Sequence, residues 1–185
     1  MLPKFVLFVL PAVLAMSSDA RADIYSGLSD DQKEQLNNGE QAEDLVDMPG
    51  SAWPSVTVYQ IIKATPDQVA AVMFDYPLHT AMFEGITKSV PKSPGAAKTD
   101  IDYTMVLPTV LGISLPAENY TVTDILSTMG SDGYKIDWTL VKASSMQDCS
   151  GSVKFERNGS NTLVAYTNFI NPPKKYGSLA KLIKG

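Results

Sequence analysis

A series of segments with a period of two constrains this chain more than any other feature of its sequence. In the clearest segment, four apolar residues alternate with Lys135, Asp137 and Thr139. This alternation is typical of β-strands with one buried face, and short turns such as Asn158-Gly159 join such strands as antiparallel neighbours. The pattern therefore predicts an antiparallel meander. Its strands are expected near residues 86–90, 101–107, 120–124, 134–140, 151–156 and 163–170.

The region before the meander predicts one more strand and two short helices. Residues 56–62 are dense in β-branched and aromatic side chains, which favours a first strand. Thr65 can cap a following helix with Pro66 at its first position, and a second short helix is expected to start at Pro77. A last helix is expected from about Tyr176, where it would cover the apolar face of the sheet.

The acidic segment upstream of residue 56 predicts a short helix and a connector. Ser29 and Gln32 have the spacing of a capping box, so a helix is expected over 30–38. Residues 40–54 have little periodicity and indicate a connector, which could include a short strand near 44–47.

The first 22 residues have the order of a secretory signal peptide. A basic residue, Lys4, precedes an apolar run over 5–16, and the small-x-small triplet 20–22 follows. The run is short for a membrane span, which needs about 20 apolar residues, although a retained anchor is the alternative. We expect cleavage after Ala22 and a periplasmic or secreted protein. The predicted organisation is a signal peptide over 1–22, an N-terminal helix and connector over 23–54, and a main domain over 55–185.

Composition excludes several classes of function. The 185 residues include 15 Lys and Arg against 20 Asp and Glu, and the resulting net charge of −5 would repel a nucleic acid. A single Cys and a single His cannot form a closed zinc site, a CxxC pair or an internal disulfide. We therefore expect no nucleic-acid partner, no metal and no cofactor. Cys149 is expected to be a buried apolar residue.

The order of elements, together with short patches of sequence over residues 55–185, resembles the START/Bet v 1-like (SRPBCC) superfamily of polyketide cyclase/dehydrase and lipid transport type. The resemblance implies an α+β helix-grip fold. In this fold a curved antiparallel sheet of about 6–7 strands, with two short helices after the first strand, grips a C-terminal helix around an apolar cavity. The patches are Ile62-x-Ala64-Thr65-Pro66-x-x-Val69, Phe74-Asp75-Tyr76, Phe83-Glu84-Gly85-Ile86, Gly151-x-Val153-x-Phe155, Thr162-x-Val164-x-Tyr166 and Asn171-Pro172.

Two segments bear on how such a cavity is closed. The C-terminal helix would have ten residues from Tyr176 to Gly185, or about 15 Å at a rise of 1.5 Å per residue, so we expect a truncated helix and a partly open cavity. Residues 107–116 form an unusually apolar hairpin tip. The tip could gate the cavity, make transient membrane contact, or fold back on its own sheet.

The resemblance implies a ligand-binding surface on the inward faces of the strands and first helices. The polar groups would be Gln60, Asn168 and three tyrosine hydroxyls, while the alternative is that the same side chains form an ordinary packed core. The candidate residues are Gln60, Ile62, Met73, Phe83, Tyr103, Met105, Tyr134, Ile136, Trp138, Phe155, Val164, Tyr166 and Asn168.

No set of residues indicates catalysis. His79 is the only imidazole. Asp75, Glu84 and Cys149 are nominally available as its partners, but nothing in the sequence fixes their mutual geometry and no nucleophile motif is present, so a surface or cavity-rim position is expected. The sequence favours an exported protein that binds or carries a hydrophobic small molecule or lipid. One alternative is a polyketide cyclase/dehydratase-like enzyme using His79, Tyr134 or Asn168. Another is a non-catalytic module whose open sheet binds a partner protein's helix.

Overall fold

The computed structural model describes residues 24–51, 53–106, 116–130 and 133–172. These residues form an α+β fold around one curved, unclosed antiparallel sheet of eight strands. The helices are α1 (Asp30–Asn37), α2 (Pro66–Phe74) and α3 (His79–Met82). The strands are β1 (Ala42–Val46), β2 (Ser55–Ile62), β3 (Ile86–Pro91), β4 (Lys98–Met105), β5 (Glu118–Thr128), β6 (Gly133–Ala143), β7 (Asp148–Asn158) and β8 (Asn161–Asn171).

The strand order is β1-β2-β8-β7-β6-β5-β4-β3. The predicted meander is present, because β3 to β8 follow one another as antiparallel neighbours. The predicted count of 6–7 strands is too low, since β1 adds an edge strand that pairs from Ala42 opposite Tyr59 to Val46 opposite Ser55. Only Ala42 is buried in β1. The sequence of this acidic edge strand does not show the alternation of apolar and polar residues that predicts a strand with one buried face. The two short helices consequently follow the second strand.

Capping explains where the first two long helices begin. Ser29 and Gln32 form a reciprocal capping box at the start of α1, and Thr65 and Gln68 form another at the start of α2. The second short helix does not begin at Pro77, where the sequence predicts its start. Residues Tyr76–Leu78 form a 3-10 turn, and α3 follows it.

Both faces of the sheet are partly covered. On the inner face, α2 packs Val69 and Ala70 against Ile136, Val153 and Phe155. Helix α1 and the turn before it lie on the outer face, where Leu28, Leu36 and Ala42 pack with Leu163. Leu163 and its neighbour Val164 belong to different clusters because successive residues of a strand point to opposite faces.

Three predicted features lie outside the described residues: the signal peptide, nearly all of the apolar tip at 107–116, and the C-terminal helix from Tyr176. Within the described ranges, no helix is both long and apolar enough to cross a membrane.

Candidate ligand-binding cavity

A cavity of 230 Å³ lies between the inner face of the sheet and the segment that contains α2 and α3. The register explains which strand residues reach it, because the inner-face positions of β5 lie opposite those of neighbouring strands: Tyr120 opposite Tyr103, and Asp124 opposite Trp138. The lining residues are Met73, His79, Phe83, Glu84, Ile86, Tyr103, Met105, Tyr120, Val122, Asp124, Ile136, Trp138, Cys149, Val153, Tyr166, Asn168 and Ile170.

Eight of the predicted site residues line this cavity, and five lie outside it. The eight are Met73, Phe83, Tyr103, Met105, Ile136, Trp138, Tyr166 and Asn168. Of the five, Phe155 is fully buried in the core beneath α2, with Ile62 and Val164 packed around it. Tyr134 and Gln60 face other partners: the Tyr134 hydroxyl donates to Asp67 at 2.5 Å, and Gln60 accepts from the Gln41 amide at 3.2 Å.

Four of the five residues that lie outside the cavity belong to one row of the sheet. Tyr134 lies opposite Phe155, Phe155 lies opposite Val164, and Val164 lies opposite Gln60, so these four form one row across the sheet. The neighbouring row contains Ile136, Val153 and Tyr166, and this row reaches the cavity. The sequence assigned both rows to the inner face but did not show that only the second row borders the cavity.

His79 is a buried residue of the cavity wall, only 5% exposed, which excludes the surface position considered from the sequence. Its Nε2 lies 2.9 Å from the carbonyl oxygen of Met73, and its Nδ1 lies 2.8 Å from the hydroxyl oxygen of Tyr103. A carbonyl can only accept, so Nε2 carries the proton and Nδ1 accepts from Tyr103 in the neutral ring. Burial lowers the pKa of His79, against the opposing effects of the Met73 carbonyl and Asp75.

Asp124 is the buried acid of the cavity, with 8% of its surface exposed. Burial raises its pKa to about 7, and the hydrogen bond from the Tyr76 hydroxyl opposes this shift. Sequence reasoning missed Asp124 as a site residue. The available signal was its position two and four residues after Val122 and Tyr120, which places all three on one face of β5.

Five aromatic side chains line the cavity: Phe83, Tyr103, Tyr120, Trp138 and Tyr166. The rings of Tyr103 and Tyr120 stack with centroids 5.3 Å apart, and Tyr166 lies 5.2 Å from Trp138 and 6.0 Å from Phe83. Burial, followed by nearby acidic groups, raises the pKa values of Tyr103 and Tyr120, so both hydroxyls remain neutral near pH 7.

Cys149 is buried, as predicted, and it also lines the cavity. Burial, with smaller contributions from Asp148 and Asp124, raises the pKa of its thiol to about 12. A thiol of this kind is protonated at neutral pH and is a poor nucleophile. Among the described residues, no group of three or more His, Cys, Asp or Glu side chains could hold a metal ion.

Comparison with solved structures identifies the architecture. A STAR-related lipid transfer protein from Xanthomonas axonopodis superposes with a TM-score of 0.64 at 11% identity, covering 71% of this chain and 77% of that one. The chain has a START-like fold. Human STARD10 aligns with a TM-score of 0.56 at 12% identity over 78% of this chain and 66% of its own. The Zhui aromatase/cyclase from Streptomyces sp. R1128 aligns with a TM-score of 0.53 at 15% identity over 70% and 81%.

These similarities confirm the resemblance at the level of the START-like fold. No protein-family model matches the chain, and no curated protein matches it.

Proposed function

We propose that this START-like chain binds a hydrophobic small molecule of the lipid class in the cavity and carries it without chemical change. The observation that supports this most directly is a 230 Å³ space between sheet and helices, walled mainly by aromatic and aliphatic side chains. Concave, mostly apolar sites with a few polar groups are the usual form of small-molecule sites. Two of the similar structures are named as a lipid transfer protein and an aromatase/cyclase, so both carriage and catalysis occur on this fold.

The hydrogen bonds of His79 favour carriage over catalysis. A general base needs a free lone pair within reach of its substrate, but the Nδ1 of His79 already accepts from Tyr103 and its Nε2–H points to the Met73 carbonyl. The protonated thiol of Cys149 does not supply a nucleophile either. Asp124 is a buried candidate acid or base in the cavity wall, and a ligand recovered chemically unaltered after incubation would favour carriage.

The proposal also includes a location. The N-terminal sequence favours export, so the ligand would be bound outside the cytoplasm, in the periplasm or in the medium.

A neutral hydrophobic dye tests the proposal directly. N-phenyl-1-naphthylamine should become fluorescent on binding to the purified protein, and Met105→Trp should weaken its binding at least tenfold because the larger ring fills the cavity. Val141→Trp is the matched control: Val141 is exposed and outside the cavity lining, so this variant should bind the dye normally. Circular dichroism verifies that both variants are folded. Equal dye binding by the two variants would contradict the cavity assignment.

Trp138→Ala provides a second test of the same site. Trp138 lies in the wall between Asp124 and Tyr166, so its removal should weaken binding of the dye at equal folded fraction. Mass spectrometry of small molecules extracted from the protein, purified from its native host, would identify the ligand.

A further inference from the structure

The polar residues that line the cavity include a buried carboxylic acid. Of the two acidic residues in the described lining, Asp124 is buried and Glu84 is exposed. Among the described lining residues none is Lys or Arg, and the carboxylates paired with Lys33, Lys92 and Lys135 are others than Asp124. The hydrogen bond from the Tyr76 hydroxyl to Asp124 is a neutral contact, so the described part of the cavity wall holds no cation against an ionised Asp124.

The groups that surround Asp124 cannot supply that positive charge. The pKa of His79 is lowered, so its ring is neutral at neutral pH, and both of its nitrogens are engaged within the protein. The other titratable groups are neutral when protonated and have raised pKa values. They are Tyr76 from the 3-10 turn, Tyr103 from β4, Tyr120 from β5, Cys149 from β7 and Tyr166 from β8.

The aromatic walls are a second and independent feature that favours a cation. Tyr103, Tyr120, Trp138 and Tyr166 lie on neighbouring strands around the same space as Asp124. The negative face of an aromatic ring attracts a cation, most strongly when the cation is removed from water. A buried carboxylate among aromatic rings therefore suits a positively charged group attached to an apolar body.

We propose that the cavity selects a hydrophobic amine, whose protonated nitrogen binds the carboxylate of Asp124 and whose apolar body packs against the aromatic walls. This rests on the proposed function and specifies the ligand class at the same site. An anionic headgroup would find no cationic partner among the described lining residues and would approach Asp124 with the same sign of charge.

The size of the cavity guides the choice of probes. A volume of 230 Å³ corresponds to roughly eight water molecules at about 30 Å³ each, so a short chain is appropriate. Decylamine, decanol and decanoate each have ten carbon atoms and differ mainly in the headgroup. Differences among their affinities therefore report on headgroup recognition.

Isothermal titration calorimetry at about pH 8 tests the proposal. Decylamine should bind at least tenfold more tightly than decanol, and decanoate should bind most weakly, because a charge-assisted hydrogen bond contributes more than a neutral one. Asp124→Asn should abolish the preference for decylamine over decanol. Asp100→Asn is the matched control, since Asp100 accepts from Thr123 at 2.6 Å and is not among the cavity residues.

The pH dependence of the unmodified protein is a second measurement that does not depend on any variant. With a pKa of about 7, Asp124 is ionised at about pH 8 and largely protonated at pH 5, so affinity for decylamine should fall by up to about 100-fold over this range. Decanol should show no comparable loss.

The outcomes separate the two proposals. Decanol binding without a preference for decylamine, or a preference that persists in Asp124→Asn, would overturn the amine assignment and leave the carrier function standing. Binding of none of the three probes, together with no binding of the neutral dye, would overturn both.

Discussion

Gly151 lies directly opposite Trp138 on neighbouring strands, and a side chain at position 151 would occupy the space that the indole ring fills. The absence of a side chain on β7 thus allows the largest aromatic residue of the cavity to lie flat against the sheet. The carbonyl oxygen of Thr167 on β8 approaches the same point from the other side. Position 151 is therefore restricted to glycine by two neighbours at once.

Gly151→Ala should lower the free energy of unfolding by about 1 to 3 kcal/mol, the usual effect of overpacking a site that cannot relax freely. Urea unfolding followed by circular dichroism measures the change. Gly27→Ala is the matched control, because a methyl group at Gly27 meets no atom within 4 Å. Equal midpoints for Gly151→Ala and the parent would show that the indole can move aside.

Asp124 should make stability decrease as the pH rises. Its folded pKa of about 7 lies above 3.8, the ordinary value for aspartate, so the folded state binds more protons between these limits and loses stability as pH rises through about 7. Asp124→Asn should therefore exceed the parent in free energy of unfolding by about 1 to 4 kcal/mol near pH 8, with the gap closing towards pH 4. Urea titrations across this range measure the gap, and equal stabilities near pH 8 would contradict the burial of an ionisable group here.

His79 should have the opposite effect on the pH dependence of stability: it should make stability decrease as the pH falls. Because its folded pKa lies below 6.5, the unfolded chain binds the proton more readily, and stability is lost as pH falls below about 6.5. His79→Phe should remove this acid-side loss. It should also lower stability near pH 8 by about 1 to 3 kcal/mol, since the Met73 carbonyl and the Tyr103 hydroxyl lose their partner.

Met82→Ala, an exposed change on the same helix α3, is the control for His79→Phe. It should retain the slope of the parent between pH 6.5 and 5. A His79→Phe protein with the same slope would assign the acid-side loss to other groups.

The sequence predicted the inner face of each long strand well, because a period of two assigns every side chain to one face. It did not predict which of the inner-face residues along each strand border the cavity. Phe155 and Val153 are both inner-face residues of β7 and both pack in the cluster beneath α2, yet only Val153 also borders the cavity. Where the packed cluster ends and the cavity begins depends on tertiary packing, which no local pattern encodes.

Two polar residues show a second limit of what the sequence can predict. An acid such as Asp124 within a strand is normally exposed, and a lone histidine such as His79 has no spacing that reveals its partners. Their surroundings depend on Tyr76, Met73 and Tyr103, which only the three-dimensional fold brings beside them. The buried polar groups of the cavity were therefore predicted less well than its apolar walls.

Glu118 should be needed for the connection between β6 and β7. Its buried carboxylate accepts from the backbone N–H and hydroxyl of Ser145 and from the backbone N–H of Met146. Burial alone would raise its pKa, but these hydrogen bonds outweigh burial and lower it.

Glu118→Ala should thus lower the free energy of unfolding by about 2 to 4 kcal/mol by leaving buried donors without an acceptor. The loss should be largest near neutral pH and should shrink as the pH falls below 4.5, the ordinary value for glutamate, towards the lowered pKa of Glu118. Glu40→Ala, in the exposed segment before β1, is the control. A stability loss that does not change with pH would show that the charge of Glu118 has no role.

Export should produce a protein that begins at Asp23. The backbone N–H of Ile24 donates to the carboxylate of Glu156 at 2.8 Å, and the Ile24 side chain packs with the cluster around Leu28. Cleavage after Ala22 keeps these contacts, whereas cleavage two residues further on would remove them. Intact-mass measurement of the protein from its native host should therefore give the mass of residues 23 onward. Ala22→Trp, which places a bulky residue at the cleavage position, should leave the longer form. A native protein that retains Met1 would contradict the predicted export.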